Sequence, residues 1–262
     1  MEPLHAALIA LGGLWAGTIN SVVGSGTLVT FPILVALGYL PVTATISNAM
    51  GLIAGGAGGV YGYRRELAGL RRTLATLLPA SLLGGITGAA LLLNLPDSVF
   101  GVAAPFLIVV ALCFVIFQPR LQAWVRERQA AQARRKTRPW LLLVLVFAAG
   151  VYGGYFVAAQ GVLLLGILGV FLHGSMQQAN AVKNVLVLGV NLIAAVSYML
   201  FAFARIDWWV VLAIAVSSLA GALFGSAVGR RLKPVVLRGI IVALGLVALW
   251  TMVAQLVQAA GR

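Results

Sequence analysis

Two stretches of this chain place hydrogen-bonding groups inside long apolar runs. The first, GTINSVVGSGTLVTFP at 17–32, sets Asn20, Ser21 and Ser25 around Gly24 and Gly26. The second, QQANAVKNVLVLGVN at 177–191, carries Gln177, Asn180, Asn184 and Asn191 on one helix face. Lys183 lies about 60° from Asn180 around that axis, close enough to face the same space. Amides and hydroxyls donate hydrogen bonds, and lysine adds positive charge. Glycine lets the backbone leave a helix, so a new helix can begin with its N–H groups free. Helix-start N–H groups together with such donors hold anions. The chemistry indicated is recognition of a small anion, not bond cleavage.

What is missing supports that reading. The five acids, Glu2, Glu66, Asp97, Glu127 and Asp207, fall at a terminus or between apolar runs. An aspartyl protease and a carboxylate proton relay inside the membrane therefore lack their groups. His5 and His173 sit at segment ends with no second ligand at metal spacing, so no metal site is expected. A serine protease would need a deep histidine beside Ser25, and neither histidine is deep. No P-loop is present, so no ATP hydrolysis and no cofactor are expected. Cys113 is the only cysteine, which excludes a disulfide within the chain.

The elements that carry these residues are membrane helices. Of 262 residues, 62% are hydrophobic and 9% charged, against roughly 25% charged in a soluble domain. Apolar runs of about twenty residues recur throughout, each long enough to cross a bilayer. No polar stretch suits a separate soluble domain. The first run, MEPLHAALIALGG, lacks a basic n-region and reads as a membrane segment, not a signal peptide. Helices are expected at 4–23, 26–38, 43–63, 70–94, 98–118, 140–159, 161–173, 177–204, 208–231 and 234–257. Those at 26–38 and 161–173 are too short to span comfortably.

The net charge of +13 would suggest nucleic acid in a soluble protein, but here it is concentrated between spans. Arg64, Arg65, Arg71 and Arg72 form one basic group. Arg120, Arg126, Arg128, Arg134, Arg135, Lys136 and Arg138 form a second, and Arg230, Arg231 and Lys233 a third. Basic loops stay on the cytoplasmic side. Loops near Asp97 and Arg205–Asp207 are then outside, as are both termini. This works only if each short helix forms a hairpin with its predecessor and returns to its starting side.

The sequence also matches itself. Gly17 falls on Gly154, Gly24 on Gly161, Asn48 on Asn184 with one residue of slip, Gly84 on Gly221 and Gly88 on Gly225. Each half is a hairpin plus three crossings, an odd number, so the second half is expected upside down. The expected fold is an all-α polytopic membrane protein of two inverted-topology repeats, each a broken or re-entrant hairpin plus three transmembrane helices. The repeats are 1–118 and 140–262, joined by a basic cytoplasmic linker at 119–139. Inverted repeats broken at equivalent places are an architecture of secondary transporters, with the site near the midplane. The matching breaks are Gly24–Ser25–Gly26 and Gln160–Gly161.

Other readings stand beside this one. Lys183, some seven residues into its helix, could snorkel to the surface. The asparagines could be interhelical glue. Gly51, Gly55 and Gly59, like Gly221, Gly225 and Gly229, read as close helix packing. A membrane-embedded enzyme, a scaffold subunit and an anion channel remain competing classes.

The stretches GLWAGTINSVVGSGTLVTFPILVALGYLPVTATISNAMG at 13–51, YGYRREL at 61–67, ANAVKNVLVLGVNLIAAVSY at 179–198 and IDWWVVLAIAVSSLAGALFGSAVGRRL at 206–232 resemble the sulfite exporter TauE/SafE family. The resemblance covers essentially the whole chain. Family members commonly carry a glycine triplet at the first break, where this chain has Gly24–Ser25–Gly26. The resemblance implies an anion permease of the bacterial inner membrane for sulfite, organosulfonates or related sulfur anions. The loop placement of the basic residues makes nucleic acid an unexpected partner, and the sequence is compatible with a homo-oligomer without fixing its oligomeric state. The expected substrate-binding set is Asn20, Ser21, Gly24, Ser25, Gly26, Ser47, Asn48, Gln160, Gly161, Asn180, Lys183 and Asn184. Ser47 and Asn48 enter because they occupy the first-half positions equivalent to Lys183 and Asn184.

Overall fold

The computed structural model describes residues 2–22, 24–131, 139–172, 174–228 and 234–260. The described residues form α-helices α1 (Pro3–Val22), α2 (Thr27–Ala36), α3 (Pro41–Gly62), α4 (Arg71–Asn94), α5 (Asp97–Ala131), α6 (Pro139–Phe156), α7 (Gln160–Phe171), α8 (Met176–Phe201), α9 (Trp208–Val228) and α10 (Pro234–Ala260), with a 3₁₀ turn at Phe203–Arg205. Proline opens α3, where its fixed φ suits a first turn that needs no N–H. Ser175 and Gln178 close a capping box on α8, each side chain bonding the other's backbone. The Asp207 carboxylate accepts from Trp209 N and Val210 N, both at 3.0 Å, and so caps α9.

One boundary departs from expectation. Helix α5 does not stop at 118 but runs on through the expected linker to Ala131. Past Pro119 the sequence is rich in Arg, Gln, Glu, Leu and Ala, all strong helix formers, so the helix outlasts its apolar run. Arg134, Arg135, Lys136, Arg138, His173, Gly229, Arg230, Arg231 and Lys233 lie outside the described residues.

Among the described residues, five helices are long and apolar enough to cross a membrane: Arg71–Asn94, Asp97–Arg120, Pro139–Phe156, Met176–Phe201 and Trp208–Ser226. Helices α1 and α3 are 20 and 22 residues long. Glycine, Ser, Thr and Asn lower their hydropathy, and neighbouring helices shelter those residues.

Packing partners exchange between the halves. Helix α4 packs along α6 as α9 packs along α1; α4 meets α8 as α9 meets α3; α5 meets α7 as α10 meets α2. Glycines permit the closest crossings. A Cβ on Gly17 would overlap the Ser218 carbonyl and one on Gly221 the Leu14 carbonyl; in the other crossing Gly84 meets Phe147 O and Gly154 meets Gly85 O. These are the positions that match between the halves in sequence. Gly51 and Gly55 pack on Ile214 and Ser218, whereas Gly59 lies beside Ser21 and Asn184.

The same contacts set directions. Gly13 meets Ser217 and Gly225 meets Thr18, so α1 and α9 run parallel; Gly51 meets Ile214 and Gly62 meets Ser226, so α3 runs with them. Gly84 meets Phe147 and Gly88 meets Tyr155, so α4 and α6 run parallel. Gly12 packs on Ile33 and Gly26 on Ala16, so α2 doubles back along α1. Gly153 likewise meets Gln160, so α7 turns back on α6. Both short helices therefore fold back against the helix that precedes them. At one face Arg205 Nη1 pairs with Asp97 Oδ1 at 2.9 Å. Tyr39 sits at that face, where burial, and behind it the Asp207 charge, pushes its phenol above the usual range.

Candidate functional site

Helix α1 ends at Val22, and Gly24 reverses the chain. Its φ of +93° is left-handed, which glycine adopts without penalty, and its N–H returns to Ile19 O at 3.1 Å. Gly26 has no room for a side chain, because a Cβ would overlap the Ala16 carbonyl. Among the described residues, the first N–H groups of α2 with backbone acceptors are Leu28 N, on Ser25 O, and Val29 N, on Gly26 O. Neither α2 nor α7 has a side-chain cap at its start. The earlier N–H groups of both helices lack intrahelical partners.

The second break lies earlier than the sequence places it. Helix α6 ends at Phe156, and Val157 and Ala159 take φ values of 66° and 56°. Gln160 and Gly161 already belong to the first turn of α7. Nothing in the sequence announces this, since neither turning residue is glycine. Left-handed backbone costs an L-residue roughly 1–2 kcal/mol, and a branched Val157 makes it rarer still. Phe156 is held from behind by an edge-on ring contact with Phe31, centroids 5.3 Å apart.

The two breaks meet. A Cβ on Gly161 would lie 2.6 Å from both Cα and O of Gly24, and one on Gly24 would lie 2.7 Å from Gly161 Cα. The starts of α2 and α7 thus abut through bare backbone.

On the turn before α2, the start of α7 and α8, polar groups are buried without partners: Ser25 Oγ, Gln160 Oε1 and Nε2, Asn180 Oδ1 and Asn184 Nδ2. Ser25, Asn184 and Gln160 all carry donors, and unpaired buried donors are costly enough to need a reason. Gln160 lies against Gly153, and Asn184 beside Gly59. Asn191 Oδ1 and Ser81 Oγ, farther along α8 and on α4, are also buried and unpaired.

Lys183 is 1% exposed and does not snorkel. Its Nζ donates to Asn20 O at 3.0 Å, and Asn180 Nδ2 donates to Ser21 O at 3.1 Å. Asn20 and Ser21 thus contribute carbonyls: the Asn20 side chain is partly exposed, and Ser21 Oγ bonds Thr18 O at 2.9 Å. Lys183 and Asn180 cap the negative end of a broken helix. Asn180 is interhelical glue on one side and unpaired on the other.

Two expected residues are engaged elsewhere. Asn48 Nδ2 donates to Thr27 Oγ1 at 3.2 Å and its Oδ1 accepts from Thr30 Oγ1, fastening α3 to the start of α2. Ser47 Oγ accepts from Asp207 N at 2.9 Å, at the Asp97 face, away from the breaks. Gln177 is exposed. Sequence reasoning missed Thr27 and Thr30, whose one-turn spacing was the available signal. It also missed Tyr198, whose Oη donates to Gly154 O at 3.0 Å.

Among the described residues no three of His, Cys, Asp or Glu are placed to hold a metal ion. Among the described residues Lys183 is the one charged side chain that is buried.

The family model described as sulfite exporter TauE/SafE matches residues 9–252. A probable membrane transporter protein of Haemophilus influenzae is 25% identical over 223 residues, covering 84% of this chain and 83% of that protein. The probable membrane transporter protein ORF9 of a Sinorhizobium species is 28% identical over 222 residues, 84% of this chain and 81% of its own. The probable membrane transporter protein YfcA of Escherichia coli K12 is 26% identical over 162 residues, 62% and 58% respectively. No solved structure matches.

Proposed function

Because the chain belongs to the sulfite exporter TauE/SafE family, we propose that this multi-pass membrane protein exports small sulfur-containing anions, sulfite or short organosulfonates. The anion binds near the midplane, between two inverted-topology repeats, where the starts of α2 and α7 meet. The exchange of packing partners between the halves supports the inversion. Basic loops face the cytoplasm and both termini lie outside, as the loop charges require.

One observation carries the reading. Two uncapped helix starts abut at Gly24 and Gly161, and the donors of Ser25 and Gln160, their chain neighbours, and of Asn184 on α8 are buried without partners. Such starts concentrate positive potential and free N–H groups on one point. An anion there satisfies both the helix starts and the orphaned side chains. No carboxylate lies among them to repel it.

The test uses purified full-length protein in proteoliposomes loaded with radiolabelled sulfite or a short alkanesulfonate. Efflux should exceed that of protein-free vesicles and be competed by the other anion. Folded protein that moves neither, and whose thermal midpoint responds to no sulfur anion, rejects the assignment.

A further inference from the structure

The carbonyl end of α1 is the opposite pole of the same break. A helix that stops inside a membrane leaves its last C=O groups without helical partners, carrying roughly half a negative charge. Here Gly24 N takes Ile19 O, Lys183 takes Asn20 O and Asn180 takes Ser21 O. Transporters with broken helices use such carbonyl ends, with unwound backbone, to coordinate the ion that drives transport. In this chain a lysine already stands there. It is buried, no carboxylate pairs with it, and two of its three N–H donors have no partner.

We propose that Lys183 is the coupling residue: its ammonium takes the place of a co-transported metal cation on the carbonyl end of α1, so that a proton on Lys183 moves with the anion. This rests on the transport reading above. The anion binds while Lys183 is charged, because the pair is nearly neutral and an isolated charge in this core is costly. After the anion leaves, the proton passes from Nζ to water on the open side. The neutral amine then no longer holds the α1 terminus by charge, freeing the α1–α2 hairpin to reset. By linkage, whatever factor the proton contributes to anion affinity, the anion returns to proton affinity.

The titratable and charged groups on the elements packed against Lys183 are engaged elsewhere or lie at helix ends. On α3, Tyr61 lies exposed beneath the Arg64 guanidinium, and Tyr63 caps the helix end. On α4, Arg71 and Arg72 are exposed at its first turn. On α6, Tyr152 Oη donates to Leu107 O and Tyr155 packs on Phe100; α7 carries none. On α8 itself Tyr198 donates to Gly154 O, and on α1 His5 sits near Glu2 at the far end. Lys183 is therefore the group placed to exchange a proton at this point.

The composition makes the test direct, because Lys136, Lys183 and Lys233 are the only lysines. Full-length protein labelled with side-chain ¹⁵N-lysine, in lipid nanodiscs, gives an Nζ signal for Lys183 that K183R removes. That signal should pass from ammonium to amine as the pH is raised across the range in which the protein stays folded, with no substrate present. Adding sulfite should extend the charged range upward, by about one pH unit for a tenfold coupling. In sulfite-loaded proteoliposomes without sodium, an acidic lumen should drive sulfite out against its gradient. K183R, which cannot release a proton, and K183Q should lose that uphill efflux, and their residual sulfite exchange should be independent of pH. An Nζ that stays charged throughout, or uphill efflux that requires sodium, overturns the proposal. A titrating Lys183 in a protein that moves no sulfur anion supports the proton site and removes the sulfur-anion reading.

Discussion

Adding one methyl group at Gly161 should separate the two helix starts. In Gly161→Ala the new carbon would lie 2.6 Å from Gly24 Cα, about 1 Å short of an ordinary carbon–carbon contact. Both neighbours are backbone, so no side chain can rotate away. Overpacking of this kind costs about 1–3 kcal/mol, and a displacement of about 1 Å at a reacting or binding centre costs on the order of a hundredfold in rate. Gly24→Ala meets the same clash and must also hold alanine at φ +93°, adding about 1–2 kcal/mol. Gly38 separates the two effects. Its φ is +90° and nothing lies within 4 Å of its added Cβ, so Gly38→Ala has the backbone strain without the clash. Sulfite efflux and thermal midpoint, measured on the three variants side by side, should order as follows. Gly38→Ala loses stability but not efflux, Gly161→Ala loses efflux by about a hundredfold, and Gly24→Ala loses both most. Wild-type efflux and midpoint for Gly161→Ala would refute the abutting helix starts. An equal efflux loss in Gly38→Ala would show that general destabilisation, not the site, sets the rate.

Ser47→Ala should remove about 1 kcal/mol of stability by leaving Asp207 N without its acceptor, with sulfite affinity within about twofold of wild type; a tenfold affinity loss would return Ser47 to the site. Asp97→Ala and Arg205→Ala break an exposed ion pair, so each should change the midpoint by no more than about 1 kcal/mol equivalent, and less at high salt. Cysteines placed at Asp97 and Asp207, with Cys113 replaced, should react with an impermeant thiol reagent from outside; reaction at positions 126–131 instead would invert the proposed topology.

The eight long helices are legible because a twenty-residue apolar run has few alternatives in a membrane. The first break is legible because glycine marks it, and Gly24 and Gly26 sit where a turn and a close approach need them. The second break is not. Val157 and Ala159 are held left-handed by the surrounding packing, and no local preference reveals a conformation imposed from outside. The overrun of α5 escaped because the apolar run, which sets the membrane span, ends before the helix does. Lys183 was recognisable as the unusual charge, but its partner is a backbone carbonyl at Asn20. Main-chain acceptors have no residue type, so sequence could name the donor and not the contact. Ser47 was assigned through the repeat. The two halves share backbone positions there, but the neighbour in this half is Asp207 N.

The glycine crossings also set an order of assembly. The tightest surfaces of the first half, on α1 and α4, do not face each other; they face α9 and α6. Thr18 donates to Gly221 O, a partner 203 residues farther along the chain. At about 5–20 residues per second, α1 waits roughly ten to forty seconds in the membrane before that partner is synthesised. During that interval its glycine face and broken end, with Lys183 also unmade, have only lipid, interfacial water or a membrane chaperone for company. The first repeat is thus a half-mould that closes only on the second. A chain truncated before α6 should be cleared by proteolysis, and the two halves expressed separately should recover transport only when produced together.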